Sequence, residues 1–234
     1  MNPAPERTTL LVVAKAPVPG LAKTRLTSVL TPTEAAEVAA AALLDTLDAV
    51  AGVPGVRRVV ALTGDLGAAA RAPEIRRVLA GFTVIGQRGG SLGERLAAAH
   101  ADAGPGPVLQ IGMDTPQVGA TLLADTAARL AGPDVDAVLG PAADGGWWGL
   151  GVVDPTLAAV LVGVPTSQPD TGVRTLAALR AVGARVQVLA PLADVDTPDD
   201  ARAVAALVPG SRFAAAVIAA GLVPEAAAVG GGVR

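Results

Sequence analysis

Only two lysines, Lys15 and Lys23, occur in a chain of 234 residues that otherwise carries its positive charge on 16 arginines. Both fall in one stretch, AKAPVPGLAKTRL (14–26), with Arg25 beside them and no acid among them. An ammonium is a compact point charge suited to phosphate oxygens, and keeping it for one loop suggests a di- or triphosphate ligand. A phosphate-binding loop ending at Lys23-Thr24 would need glycines where Pro17 and Ala22 stand, which argues against a P-loop kinase or ATPase. The GxGxxG pattern of dinucleotide sites is missing as well. What remains is a Pro/Gly-shaped loop at the end of a first strand. Its residues Ala14, Lys15, Pro19 and Gly20 are expected to surround a nucleotide's phosphates together with the catalytic cations Lys23 and Arg25.

Two acids are placed to complement these cations. IGMDTP (111–116) reads as a strand ending on Asp114, with Thr115-Pro116 starting a helix; DVDTPDD (194–200) repeats the order and puts Asp196 at the second strand end. Carboxylates at two strand ends could share Mg²⁺ or Mn²⁺ with phosphate oxygens. Helix capping is the competing reading for both, although Thr197 and Asp200 already form a capping box without help from Asp194 or Asp196. With no cysteine and one histidine, His100, thiolate zinc sites, cysteine nucleophiles and Ser-His-Asp triads are excluded or improbable, so any metal should sit on carboxylates.

Both tryptophans, Trp147 and Trp148, follow Asp144-Gly145-Gly146 directly. Adjacent strand positions point to opposite faces, so one ring is expected in the core and the other against a ligand, and alternation alone does not say which. Gly145 and Gly146 would let backbone approach that ligand, and Asp144 could bind a hydroxyl or a metal, or serve as base. In QRGGSLGERLAAAH (87–100), Gln87 and the glycine-rich turn through Gly93 could read the polar edge of a base, while Ser91 and Glu94 cap a helix. His100, one helix length further on, is expected to be a packing or surface residue.

The elements needed to position these residues are legible too. Apolar runs of strand length near 8–14, 56–63, 82–86, 107–112, 135–140, 146–153 and 185–190 alternate with Ala-rich helical segments, the pattern of an α/β domain with a mostly parallel sheet. Hydroxyl-to-acid capping boxes at Thr31, Ser91 and Thr197 mark three helix starts. The run at 146–153 follows another strand with no room for a crossover helix, so part of the sheet should be antiparallel. Residues 1–208 are expected to form one domain, and 209–234 a short C-terminal helix and a flexible tail. A composition of 51% hydrophobic and 17% charged residues supports a full core, and a net charge of -3 leaves no basic surplus for nucleic acid. No leader-like or membrane-length apolar run occurs, which suggests a cytoplasmic protein without a membrane partner.

Taken in order, AKAPVPGLAKTRL, QRGGSLGERL, IGMDTP, GPAADGGWWGLG and DVDTPDD resemble the DUF2064 family, grouped with the glycosyltransferase A superfamily. The resemblance spans about residues 8–208. It implies a three-layer α/β/α, Rossmann-like nucleotide-diphospho-sugar transferase (GT-A) fold with a mostly parallel mixed sheet. It further implies that Lys15, Lys23 and Arg25 face phosphates, that Gln87 and Gly93 lie near the base, that Asp114 binds metal, that Asp196 is the second metal ligand and that Trp148, matching an aromatic of the family motif, is the ring facing the ligand. AKTRL with DVDTPDD is also similar to the phospholactate guanylyltransferase family. In departure from many glycosyltransferases of this fold, GMDTP holds one acid where they carry a DxD pair; the first loop also lacks the GGxGTR form of many nucleotidyltransferases. The expected function is therefore a Mg²⁺-dependent transfer from a nucleotide-activated donor to a small-molecule acceptor. Glycosyl transfer from a nucleotide-sugar comes first; nucleotidyl transfer from a triphosphate, or nucleotide binding without catalysis, are the alternatives.

Overall fold

Seven strands form where the apolar runs predict them: β1 (Thr9–Lys15), β2 (Arg57–Thr63), β3 (Thr83–Gly86), β4 (Val108–Ile111), β5 (Ala137–Pro141), β6 (Trp147–Val152) and β7 (Val186–Val188). The structure, a computed structural model, describes residues 7–223. The expected frayed tail, 224–234, lies outside the described residues, as do residues 1–6. The strands make one sheet in the order β3-β2-β1-β4-β6-β5-β7, in which β6 runs antiparallel to both neighbours and every other pair is parallel. The direct β5-to-β6 connection accounts for the reversal, since a parallel pairing would need a crossover element there. Successive strands run outward from β1 to β3 and then restart beside β1 at β4. The C-terminal ends of β1 and β4 therefore flank a crevice of the kind in which open α/β sheets hold ligands.

Helices α1 (Pro32–Ala51), α2 (Ala72–Leu79) and α4 (Ala120–Leu130) cover one face of the sheet, burying Leu10, Val12, Val60, Leu109 and Trp148 against Leu43, Leu47, Ile75 and Leu123. On the other face α3 (Leu92–Asp102), α5 (Thr171–Ala181) and a 3-10 segment, Pro155–Gly163, pack on Leu11, Val59, Leu139 and Leu150. This is the three-layer α/β/α arrangement, with neighbouring strand residues serving opposite layers. Outside α1, α6 (Pro198–Leu207) and α7 (Arg212–Ala219) add a further pair of helices that bury Phe213 and Val217 against Val38 and Ala42. Because α1 is covered on both sides, its alanine run reads as close approach rather than as low complexity. All three predicted capping boxes form, at Thr31, Ser91 and Thr197. The helix expected at Thr115-Pro116 does not: α4 starts only at Ala120, with Gly119 as its cap, and residues 113–118 turn instead. No helix among the described residues is long and apolar enough to cross a membrane.

His100 is completely buried on α3, and neither ring nitrogen makes a hydrogen bond of good geometry. Burial pushes its pKa down from 6.5 to about 4, and the neighbouring Gln110 side chain opposes this only in part. Its stabilising contribution as a neutral ring is thus complete above pH 6.5. It is lost as pH falls from 6.5 towards 4, where the unfolded chain takes up a proton that the folded chain refuses. The loss should reach on the order of 3 kcal/mol. Denaturant melts of wild type and His100→Gln at several pH values from 7.5 to 4.5 should show a steeper acid decline for wild type; parallel curves would mean that the ring does not stay neutral.

Candidate active site

Lys23 lies at the centre of the crevice because the backbone places it there. The loop after β1 ends with Lys23 in the left-handed region, at φ 47° and ψ 46°, and the chain then turns into the short 3-10 helix Thr24–Ser28. A non-glycine residue in this conformation is strained, by roughly 1–2 kcal/mol. The turn sends the side chain inward. Its Nζ donates to Asp114 Oδ2 at 2.8 Å and to Asp196 Oδ1 at 3.0 Å, and only 12% of the side chain is exposed. Asp114 stands three residues beyond β4, and its own carbonyl accepts the Val195 N–H, so the two acid-bearing loops are joined by backbone as well as by Lys23. Gln117 reinforces the joint by donating to the Ala193 carbonyl at 2.6 Å. The capping alternative for Asp114 is thereby set aside, since its carboxylate holds Lys23 and no helix begins beside it.

The charges around this lysine pair off with one acid to spare. Burial would lower the pKa of Lys23, but Asp114 and Asp196 more than offset it and hold the pKa above the usual 10.5. For Asp196, burial acts upward, yet Lys23, with Arg25 behind it, keeps its carboxyl below the ordinary value. Arg25 reaches Asp196 Oδ2 at 2.7 Å from the surface, with 68% of its side chain exposed. Asp194 is the residue left over. Burial first, then the Asp114, Asp144 and Asp196 carboxylates, push its pKa up to about 8, against a partial opposing effect from Lys23, and its Oδ1 is buried without a hydrogen-bond partner.

Two adjoining lobes meet at these charges. The smaller, of roughly 260 Å³, is bounded by Lys15, Leu21, Lys23, Arg25, Met113 and Ala39. The larger, of roughly 600 Å³, runs across the sheet edge from Thr63, Gly64 and Gln87, past Ala14 and Asp114, to Asp144, Gly146 and Trp147. Lys15, Met113, Asp114 and Asp196 belong to both and form the waist.

Most of the sequence-derived candidates converge here, with distinct roles. Lys15 reaches back to the Leu21 carbonyl at 2.8 Å and braces the loop, while its backbone N–H faces Met113 Sδ. Gln87 donates both amide hydrogens, to the Ala14 and Ala61 carbonyls at 2.9 Å each, so only its carbonyl oxygen is left for a base. Asp144 lines the larger lobe and accepts the Gly146 N–H at 2.8 Å, which closes the turn before β6. Pro19 and Gly20 form the exposed tip of the loop and line neither lobe. Gly93 is a packing glycine: a Cβ there would run into the Leu161 carbonyl, and the residue is absent from the cleft wall. Gly145, at φ 91°, likewise packs on Pro169.

The assignment of the two tryptophans is reversed. Trp148 is 2% exposed, with its Nε1 donating to the Ala190 carbonyl at 3.0 Å, and its ring lies over Gly140, where a Cβ would collide with it. Trp147 is the ring on the cleft wall. Strand alternation holds; its phase is fixed by the glycine opposite. The sequence reading missed Arg95, Gln110, Thr166, Ser167, Gln168 and Thr171, all of which line the larger lobe, and left Asp194 without a role. Ser167 stands at φ 58°, and Thr171 Oγ1 ties the segment down through the Pro165 carbonyl and the Gln168 N–H. The polar cluster TSQPDT before α5 was the available signal for that loop.

No three metal-ligating side chains gather closely enough to form a metal cage among the described residues. The donor set nevertheless suits a divalent cation. Two carboxylate oxygens already converge on one positive charge, and the unpaired Asp194 lies beside them. Mg²⁺ commonly takes one or two carboxylates and completes its shell with water and phosphate oxygens.

Residues 46–168, more than half of the chain, match the model of a family described as an uncharacterized protein conserved in bacteria, DUF2064. Among solved structures, a protein from Desulfovibrio desulfuricans G20, provisionally named a nucleotide-diphospho-sugar transferase, is 28% identical with a TM-score of 0.72 over 82% of this chain and 84% of that one. Rv0371c from Mycobacterium tuberculosis H37Rv, in complex with manganese, is 22% identical with a TM-score of 0.52 over 85% and 98%. CMP:2-keto-3-deoxy-manno-octonic acid synthetase complexed with CTP is 12% identical with a TM-score of 0.54 over 85% and 97%. No curated protein matches the chain. The chain belongs to the DUF2064 family and has the nucleotide-diphospho-sugar transferase fold.

The paired tryptophans provide a test of the cleft wall. Trp148→Ala should cost about 3–5 kcal/mol, as expected for a buried aromatic. Trp147→Ala should cost much less and instead weaken ligand binding. Chemical denaturation with a ligand titration on both variants checks this, and equal destabilisation would remove Trp147 from the binding surface.

Proposed function

We propose that this DUF2064 protein transfers a group from a nucleotide-activated donor to a small acceptor, in the first instance a glycosyl group from a nucleotide-sugar, within the single domain of residues 1–208. The observation that carries the reading is the waist, where Asp114 and Asp196 close on Lys23 between a cationic lobe and a lobe walled by an aromatic ring. The donor's diphosphate would lie at the waist against Lys15, Lys23 and Arg25, which would stabilise negative charge as the glycosidic bond breaks. A divalent cation held by Asp114 and Asp196 would supply further charge neutralisation at the phosphates; the manganese of Rv0371c gives a precedent on this fold. The base would lie toward Gln87 and Gly64. The sugar would lie toward Trp147, whose face suits its C–H surface. Asp144, exposed at the rim, would take the proton from an acceptor hydroxyl.

Nucleotidyl transfer is the second reading, and the separate cationic lobe favours it. A triphosphate's leaving pyrophosphate would fit there, with the acceptor attacking the α-phosphorus from the larger lobe. The solved CTP complex on this fold supports the comparison.

Incubation with panels of nucleotide-sugars and of nucleoside triphosphates, each with Mg²⁺ or Mn²⁺, separates these readings by product: nucleoside diphosphate for the first, pyrophosphate for the second. Asp114→Asn should retain the circular-dichroism spectrum and lose at least about tenfold in Mn²⁺-dependent nucleotide affinity, as expected on removing one ligand charge. Unchanged affinity in calorimetric titrations would take Asp114 out of the metal site, and nucleotide binding by neither panel would overturn the reading as a whole.

A further inference from the structure

The carboxylate oxygens at the waist are already taken by the chain's own cations. Lys23 Nζ sits between Asp114 Oδ2, at 2.8 Å, and Asp196 Oδ1, at 3.0 Å, while Arg25 holds the other oxygen of Asp196 at 2.7 Å. An ammonium is a compact unit charge, so the point between the two acids is filled and not merely screened. A second cation bridging Asp114 and Asp196 and an ammonium bonded to both therefore exclude each other. The lysine is equally committed from its own side, since two of its three N–H donors are spent on these acids. Facing a phosphate and holding the acids are thus alternative duties of one side chain.

The surroundings allow an exchange between the two. The smaller lobe opens directly beside Lys23, and its other charged walls are Lys15, Arg25 and the same two acids. The Lys23 backbone is fixed at the head of the 3-10 helix and need not move, because a four-carbon stem turns about its own bonds. Arg25, with 68% of its side chain exposed, can release Asp196 at little cost. Lys23, only 12% exposed, cannot leave both acids without finding another anion, since an unpaired buried ammonium is costly. A phosphate in the smaller lobe, between Lys15 and Arg25, is an anion that this lobe suits. We infer that Lys23 is an internal substitute for the divalent cation: it bars a lone cation from Asp114 and Asp196, and yields both acids when a phosphate takes up its ammonium. Cation and phosphorylated ligand are thereby admitted together, and by linkage each raises the affinity for the other. That the phosphate belongs to a nucleotide rests on the transferase reading above; the exclusion of a lone cation rests on the observed contacts alone.

Electron paramagnetic resonance of free Mn²⁺ measures the competition directly, in titrations of full-length wild type, Lys23→Met and Lys15→Met, each with and without UDP or GDP. Without nucleotide, Lys23→Met should bind Mn²⁺ at least about tenfold more tightly than wild type, within the usual range of coupling between sites. Lys15→Met removes the same charge from the same loop, but Lys15 bonds the Leu21 carbonyl and neither acid, so its Mn²⁺ affinity should change little. With a bound nucleotide diphosphate the advantage of Lys23→Met should vanish, because the wild-type ammonium has then left the acids. A second measurement needs no variant. The chain has two lysines, so isotope-labelled lysine gives two side-chain signals in nuclear magnetic resonance spectra. Mg²⁺ and the diphosphate together should move the Lys23 signal, and Mg²⁺ alone at the same concentration should not. Equal Mn²⁺ affinity of wild type and Lys23→Met without nucleotide would overturn the inference. So would an equal gain in Lys15→Met, or a Lys23 signal that stays in place although Mg²⁺ and the diphosphate bind. Tighter Mn²⁺ binding by Lys23→Met, with neither diphosphate bound by any form of the protein, would strike the transferase reading and uphold the exclusion of a lone cation by Lys23.

Discussion

One ammonium group, Lys23 Nζ, closes three loops on each other: its own after β1, the Asp114 loop after β4 and the Asp196 loop before α6. These loops are separated by 91 and 173 positions in sequence, so the contact couples distant parts of the chain. Taking the ammonium out of water costs free energy that only close, opposite charges can offset. Two carboxylates do so, with Arg25 closing on Asp196 from the surface and Lys15 lining the same waist. Cations and carboxylates are thus interleaved there, so that a metal ion would meet carboxylate oxygens and a phosphate would meet cations at one place.

The layers around the waist are arranged to keep these loops in register. α1 is compressed between the sheet and the α6–α7 pair, and its alanines permit that approach on both sides. α6 begins immediately after the Asp196 loop, so the packing of α6 against α1 fixes where Asp196 stands. On the opposite layer, Gly93 lets α3 press against the segment Pro155–Gly163, which settles the position of Arg95 two residues further on. These small residues act as spacers. A side chain at either place would move an element that carries a charged group of the cleft.

Strand positions, the reversal of β6 and the three capping boxes were legible in the sequence because each follows from local pattern: apolar runs, connection length, and a hydroxyl three residues before an acid. The convergence of Lys23, Asp114 and Asp196 was legible as chemistry, because scarce lysines and strand-end acids mark charge that the core does not need. The helix at Thr115 was misplaced for a tertiary reason. The backbone at 113–118 turns so that Asp114 meets Lys23 and Gln117 meets Ala193, and a helix starting there would have broken both contacts. The tryptophan phase was beyond reach, since it is decided by Gly140 on the neighbouring strand rather than by any residue of β6. Arg95 looked like one helical arginine among many. Gln110 did carry a signal: it is the one polar residue in VLQI, a strand buried along its whole length.

Strain and unmatched charge are concentrated in the same small volume. Lys23 and Ser167, two of the three non-glycine residues with positive φ among those described, stand at the waist and on the far wall of the cleft. The segment bearing Ser167 is latched to the turn before β6 by the Gly172 N–H donating to the Gly145 carbonyl at 2.8 Å, and Gly145 itself leaves no room for a Cβ beside Pro169. Such conformations persist only where the surroundings over-determine them. Here the surroundings are rigid strand ends and a closed turn, so the wall is set before any ligand arrives. Asp194 is buried beside the Asp114, Asp144 and Asp196 carboxylates, and burial with their repulsion raises its pKa to about 8. A cation held at the waist would offset that repulsion, so the rigid wall that fixes the acids also fixes where a cation would sit.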